Sequence, residues 1–196
     1  MNFDALQNKE KTVNTLRDHF LLAMPQLKDP HFGGSLTYLC EQNAKGALGL
    51  IVNKPLSLTF AELMEQMAIE TSSDLYADRP IFCGGPVHGD RGFVLHTGAA
   101  NWKASLPINE QLSLTTSLDI LDALAKGEGP EHFLIALGCA GWEAGQLEQE
   151  LLDNAWLTCL ANETLLFATP VEERLDGAAA TLGVNLSLMT GQAGHA

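Results

Sequence analysis

Three short stretches of this chain carry side chains whose types and spacing could do chemistry. The first is Cys83-Gly84-Gly85-Pro86-Val87-His88-Gly89-Asp90-Arg91-Gly92, with His96 a few residues on. Glycines permit a backbone with φ > 0 and the close approach of a ligand. Successive N–H groups in such a loop can form an anion nest. Arg91 adds a guanidinium fork matched to a carboxylate or phosphate, and Cys83 with His88 or His96 would make a nucleophile and its base. The alternative is a tight strand–turn–strand whose glycines solve a steric problem. The second stretch, Gly138-Cys139-Ala140-Gly141-Trp142-Glu143, reads as a strand end running into a helix start. Free N–H groups there would attract an anion, and Trp142 would stack on a flat ligand. Close packing of a helix on a sheet, with Trp142 filling the edge, explains the same residues. The third, Gly46 to Pro55, places Asn53 and Lys54 at the C-terminal end of a strand, where open sheets bind ligands. Capping a turn accounts for Asn53 equally well.

Other mechanisms fail on motif. The chain has no Walker loop, no dinucleotide fingerprint after a strand, no H-E-x-x-H and no G-x-S-x-G. Nothing in it calls for a cofactor or a metal. Cys40, Cys83, Cys139 and Cys159 form no C-x-x-C pair and are expected as free thiols, with a redox role for any of them left open. The acidic stretch from Glu143 to Asp153 lacks a calcium-loop pattern and reads as a solvated face.

The elements that must position these residues can be read from apolar spacing. Phe20–Met24, Ser35–Glu41 and Ala47–Asn53 read as strands, the last two joined as a hairpin through Asn43-Ala44-Lys45-Gly46. Thr59 and Glu62 predict a capping box ahead of a helix with Phe60, Leu63, Met64 and Met67 on one face. Ile81–Cys83 and Gly92–His96 read as strands, with a tight loop between them and Trp102 as a buried anchor beyond. Thr116 or Ser117 is expected to cap a helix through Ala125 that Gly127 ends. Phe133–Leu137 reads as a strand, Gly141–Leu152 as a helix, Ala155–Leu160 and Leu165–Phe167 as strands. Thr169-Pro170-Val171-Glu172 predicts the start of a helix running to Leu182. Strands paired as hairpins, then alternating with helices, predict an α+β fold with a mixed sheet. Residues 1–17 read as a lead-in and 18–196 as one domain.

The 196 residues carry a net charge of −13, unevenly spread. The first hundred hold 11 acids and 8 bases, whereas the remainder holds 13 acids against Lys103, Lys126 and Arg174. Such a surface repels phosphate backbones, so direct nucleic-acid binding is not expected. The N-terminus has neither the basic start nor the apolar stretch of a signal peptide, and no apolar run reaches the ~20 residues of a membrane span. A cytoplasmic protein is expected.

The constellations together carry a resemblance to the AlgH/YqgE family of bacterial proteins. The matching pieces are His19-Phe20-Leu21-Leu22-Ala23-Met24-Pro25, Gly46 to Pro55, Gly84-Gly85-Pro86-Val87, Arg91 to His96, Gly141 to Glu148, Asn154-Ala155-Trp156-Leu157 and Gly194-His195-Ala196. They keep the family order from about residue 18 to the end. Cys139 departs from it, since the family usually carries an aromatic residue there. The resemblance implies a bifurcated mixed β-sheet forming a small barrel, surrounded by helices. It implies a link to transcriptional regulation, and it transfers no catalytic residue.

Three functions follow, in order. The first is a regulatory or interaction protein acting through an unidentified protein partner. The second is a binder of a small anion or nucleotide at the Gly84–Arg91 loop, with Asn53, Gly84, Gly85, Arg91, His96 and Trp142 as candidate site residues. The third is a Cys/His-dependent hydrolase.

Overall fold

The computed structural model describes residues 15–189. The reading of residues 1–17 as a lead-in and the closing Gly194-His195-Ala196 therefore fall largely or wholly outside the described residues. Ten strands form one mixed sheet: β1 (His19–Ala23), β2 (Leu36–Asn43), β3 (Gly46–Ile51), β4 (Pro55–Thr59), β5 (Pro80–Cys83), β6 (Val87–Thr97), β7 (Ser105–Pro107), β8 (Leu112–Thr115), β9 (Phe133–Glu143) and β10 (Trp156–Leu160). The helices are α1 (Phe60–Gln66), α2 (Asp119–Ala125), α3 (Gln146–Leu152), α4 (Arg174–Thr181) and α5 (Leu186–Met189). Strand order along the main path is β10-β1-β2-β3-β9-β6-β8-β7, and β4 and β5 leave that path where β5 pairs with β9. The sheet is curled into a half-barrel, and the α+β expectation holds.

The sheet divides along β9. Its first half pairs antiparallel with β6 and parallel with β5. Its second half pairs with β3, from Gly49↔Ala140 to Gly46↔Glu143. The split falls at Gly138, which has φ 73°. The Gly84–Gly85 segment crosses β9 there in backbone contact. Gly84 N–H donates to Leu137 O, and Gly84 O accepts the Ile51 N–H, both at 2.9 Å. A Cβ on Gly84 would lie 2.2 Å from Gly138 O, and one on Gly85 2.4 Å from the Cys139 carbonyl.

Alternation places consecutive residues on opposite faces of a strand, and here both faces are covered. Phe20 and Leu22 of β1 enter the main core with Tyr38, Leu50 and Leu95, while Leu21 and Ala23 join Leu39, Trp142 and Trp156 on the other side. That is why β1 is an unbroken apolar run. In β9, Leu134 and Ala136 face the main core, and Phe133 and Ile135 face a second cluster under α1 and α2.

The capping box at α1 forms: Thr59 accepts from Glu62 N–H and the Glu62 carboxylate accepts from Thr59 N–H. Other local expectations are corrected. No helix starts at Gly141. β9 continues to Glu143 because Ala140 and Trp142 are buried while Gly141 and Glu143 are exposed, a period of two. Gly145, at φ 78°, then turns the chain into α3. The expected loop before Gly92 is part of β6, irregular between Val87 and Gly92, with His88 at φ 53°. Leu165–Phe167 lies in a π-helical turn, Thr164–Ala168. Thr169 does not cap, since its hydroxyl donates back to Thr164 O. Neither Thr116 nor Ser117 caps α2; Ser117 Oγ accepts the Ala104 N–H instead. β4, β7 and β8 are additional to the expected elements.

Candidate functional site

The six residues singled out by type and spacing do not line one cleft. Asn53 Oδ1 accepts the Leu36 N–H (2.7 Å) and its Nδ2 donates to Gly34 O (3.0 Å). It thereby ties the end of β3 to the start of β2. Lys54 Nζ donates to His31 O and Gly33 O in the same turn. Gly84 and Gly85 form the backbone crossing described above, so the Gly84 amide is engaged and not turned to a ligand. Trp142 packs against Phe32 and Trp156. Its Nε1–H donates to Glu150 Oε2 (2.9 Å), which also accepts the Trp156 Nε1–H (2.8 Å).

His96 is fully buried on β6. Thr97 O accepts from Nδ1–H (2.9 Å), which leaves Nε2 to accept the Thr115 hydroxyl (2.8 Å). Desolvation by burial lowers its pKa, and the Thr97 carbonyl opposes this more weakly. The unfolded chain then binds the proton more readily than the folded one. The stability from neutral His96 is present above about pH 6.5 and is lost as the pH falls through the folded value. Denaturant titrations between about pH 8 and pH 5 should show falling stability, with a shallower fall in His96→Gln, which cannot titrate.

Burial also pushes the Cys40, Cys139 and Cys159 thiols up, with Arg91 partly opposing the effect at Cys139. A thiol held protonated is a poor nucleophile. Cys83 is half-buried. Both nitrogens of His96 are engaged by threonine oxygens, and no hydrogen bond among the described residues joins a cysteine to a histidine. The arrangement therefore lacks the thiol–base contact a Cys/His hydrolase needs.

Trp142 borders a shallow surface hollow beside Gly46 and Leu48, whereas Arg91 opens onto a deeper groove. It lies between α1, α2 and β6, has a volume of ≈ 410 Å³, and has a floor that includes Leu63, Val94, Leu121 and Leu137. Met67 and Leu118 flank it, 37% and 58% exposed. Thr116, Ser117 and Asp90 add polar lining. The Arg91 guanidinium makes one long contact, Nη2 to Thr116 Oγ1 at 3.3 Å, and its carbon lies 5.9 Å from the centre of the Phe93 ring. The only ion pair among the described residues is His132–Glu131, so Arg91 is in contact with no carboxylate there, although Asp90 shares the groove lining. An apolar trough with one uncommitted cation can hold an anion that has an apolar body.

Arg79 and Arg174 were not singled out by sequence spacing, yet both line a second cleft. The available signal was composition: Arg174 is the sole arginine of the acidic half. No motif surrounds either residue.

The AlgH-like (DUF179) family model matches residues 20–187. The UPF0301 protein AlgH of Pseudomonas aeruginosa is 52% identical, over 96% of this chain and all of that protein. A UPF0301 protein of Chromohalobacter salexigens is 48% identical, over 93% of this chain and its own full length. The solution structure of the Pseudomonas aeruginosa AlgH protein superimposes with a TM-score of 0.77 at 52% identity, covering 96% of this chain and 100% of that one. A crystal structure of a Corynebacterium diphtheriae protein shares the fold, with a TM-score of 0.67 at 18% identity over 88% and 90% of the two chains. No helix among the described residues is long and apolar enough to cross a membrane. A full-length sequence match and a shared half-barrel thus agree, and the chain belongs to the AlgH-like family.

Proposed function

We propose that this protein is a cytoplasmic binding protein with an indirect regulatory role, and that its Arg91 groove takes a small organic anion with an apolar body. The observation that carries the reading is the Arg91 guanidinium, in no ion pair among the described residues, at the edge of a groove with an apolar floor. Arg91 lies in the half of the chain that holds 11 acids and 8 bases, where an anion meets less repulsion than near the more acidic second half. A small monoanion meets less long-range repulsion from a chain of net charge −13 than an acidic macromolecule does. The same charge argues against direct contact with DNA or RNA, so any effect on transcription would pass through ligand occupancy or a protein contact.

A second reading has its own support. Leu118 and Met67 at the groove rim are exposed apolar side chains, and exposed apolar patches mark protein contacts. An apolar segment of a partner protein ending in an acidic residue would satisfy the same groove.

Calorimetric titration with octanoate, with octanol as the neutral control, tests the first reading. Octanoate is expected to bind and octanol to bind far more weakly. Arg91→Ala should weaken octanoate by about tenfold, the loss of one charge-assisted contact. It should leave folding stability within about 0.5 kcal/mol, since the side chain is at the surface. Equal binding of the alcohol, or no effect of Arg91→Ala, would refute the reading.

A further inference from the structure

The second cleft lies between β5, the start of β9 and the segment leading into α4, and has a volume of ≈ 360 Å³. This is within the range of small-ligand sites. Its walls include the rings of Phe60, Phe82, Phe133 and Phe167, and two arginines, Arg79 and Arg174. Among the described residues no Asp or Glu lines it. The chain's most acidic half therefore contributes a cation, but no anion, to an aromatic cleft.

Arg174 is the more informative of the two. Its exposure is 6%. Nε donates to Thr169 O (3.1 Å) and Nη1 to Val52 O (2.6 Å), while the guanidinium carbon lies 5.3 Å from the centre of the Phe82 ring. Among the described residues Nη2 has no acceptor and no carboxylate pairs with the group. Burial alone lowers its pKa to about 10. A buried guanidinium without a counter-ion is costly, and an anion placed against it offsets that cost. Holding α4 to the end of β3 occupies Nε and Nη1, while Nη2 is not closed off from solvent and is left open to a ligand. Arg79 is half-buried. Its guanidinium lies 4.5 Å from the Phe133 ring centre and 4.8 Å from that of Tyr76, with a long Nη1 contact to Phe133 O (3.4 Å). Stacking on ring faces leaves the edge of a guanidinium free for an oxyanion.

We propose that this cleft is a binding site for a small aromatic carboxylate, with the ring among Phe82, Phe133 and Phe167 and the carboxylate received by Arg174 and Arg79. The cleft is separate from the Arg91 groove, and the proposal stands whether or not that groove takes a ligand. The rings supply a surface for a flat apolar body, and planar forks match a planar carboxylate.

Methyl NMR of the full chain, titrated with benzoate and separately with benzamide, tests this. Benzoate is expected to shift the methyls of Ile81 and Leu166 saturably, with benzamide at least about tenfold weaker, as expected for loss of a charge-assisted pair. Arg174→Met would also release α4 from Val52 and could unfold the protein, so the decisive variant is Arg79→Met. It should weaken benzoate by about tenfold while the unliganded protein stays folded, its melting temperature lowered only by the loss of the contacts with Tyr76 and Phe133. Absence of benzoate binding would overturn the proposal. So would benzamide binding as well as benzoate, undiminished binding to Arg79→Met, or shifts confined to Leu118 and Leu121 of the other groove.

Discussion

Gly85→Ala is expected to abolish the native fold, although no charge, hydrogen-bonding side chain or core atom is removed. Gly85 has φ 149°, and a Cβ there would lie 2.4 Å from both C and O of Cys139 and 2.5 Å from Ala140 N. All three are backbone atoms of β9, the strand that pairs with β3, β5 and β6. A flexible side chain could move aside, but a paired strand cannot shift without breaking its ladders. The loss should exceed about 4 kcal/mol, beyond the range of ordinary surface changes. Gly84→Ala should behave alike, since its Cβ would meet Gly138 O at 2.2 Å. Gly89→Ala is the control: its Cβ would meet nothing within 4 Å, and a change within about 0.5 kcal/mol is expected. Denaturant titration of the three variants checks this. If Gly85→Ala and Gly89→Ala were equally stable, the crossing at Gly138 would not govern the fold.

Glu150→Ala should be strongly damaging for a change to a half-exposed side chain outside the apolar cores. One carboxylate oxygen accepts two buried indole N–H groups, from Trp142 and Trp156, and the other accepts Gln146 Nε2–H at 2.9 Å. Removing it leaves two donors without partners, each costing about 1–3 kcal/mol. Half-exposure of Glu150 lets water relieve part of this, so about 3 kcal/mol is expected. For a chain of this length that corresponds to a fall of about 6–12 °C in Tm. Glu150→Gln keeps an acceptor oxygen and should lose less. Thermal unfolding followed by near-ultraviolet circular dichroism reads both stability and the packing of the indole pair.

These two predictions show what was legible in the sequence. β1 and the α1 capping box could be read because their causes are local: an apolar run ended by Pro25, and Thr59 three residues before Glu62. The continuation of β9 through Trp142 could not. Gly-Cys-Ala-Gly resembles a strand end, and only pairing with β3, nearly a hundred residues earlier, makes it strand. The same non-local cause converts Gly84 and Gly85 from a supposed ligand loop into a crossing point. Asn53 and Trp142 are ligand candidates by sequence, yet their polar partners in the fold are Leu36, Gly34 and Glu150 of the same chain. Arg91 opens onto a groove and forms no ion pair among the described residues, with Asp90 beside it in the lining. Arg79 and Arg174 were invisible as a pair. They lie 95 positions apart in the sequence, and the cleft joins them only after β5 and the α4 approach pack together.

The central claim is that the protein binds a small organic anion in the Arg91 groove. Methyl NMR of the intact chain during an octanoate titration tests it most directly. The account predicts saturable shifts grouped at Met67, Val94, Leu118 and Leu121, weakened in Arg91→Ala and far smaller with octanol. Shifts scattered over the surface, identical with the alcohol, or absent altogether would contradict it.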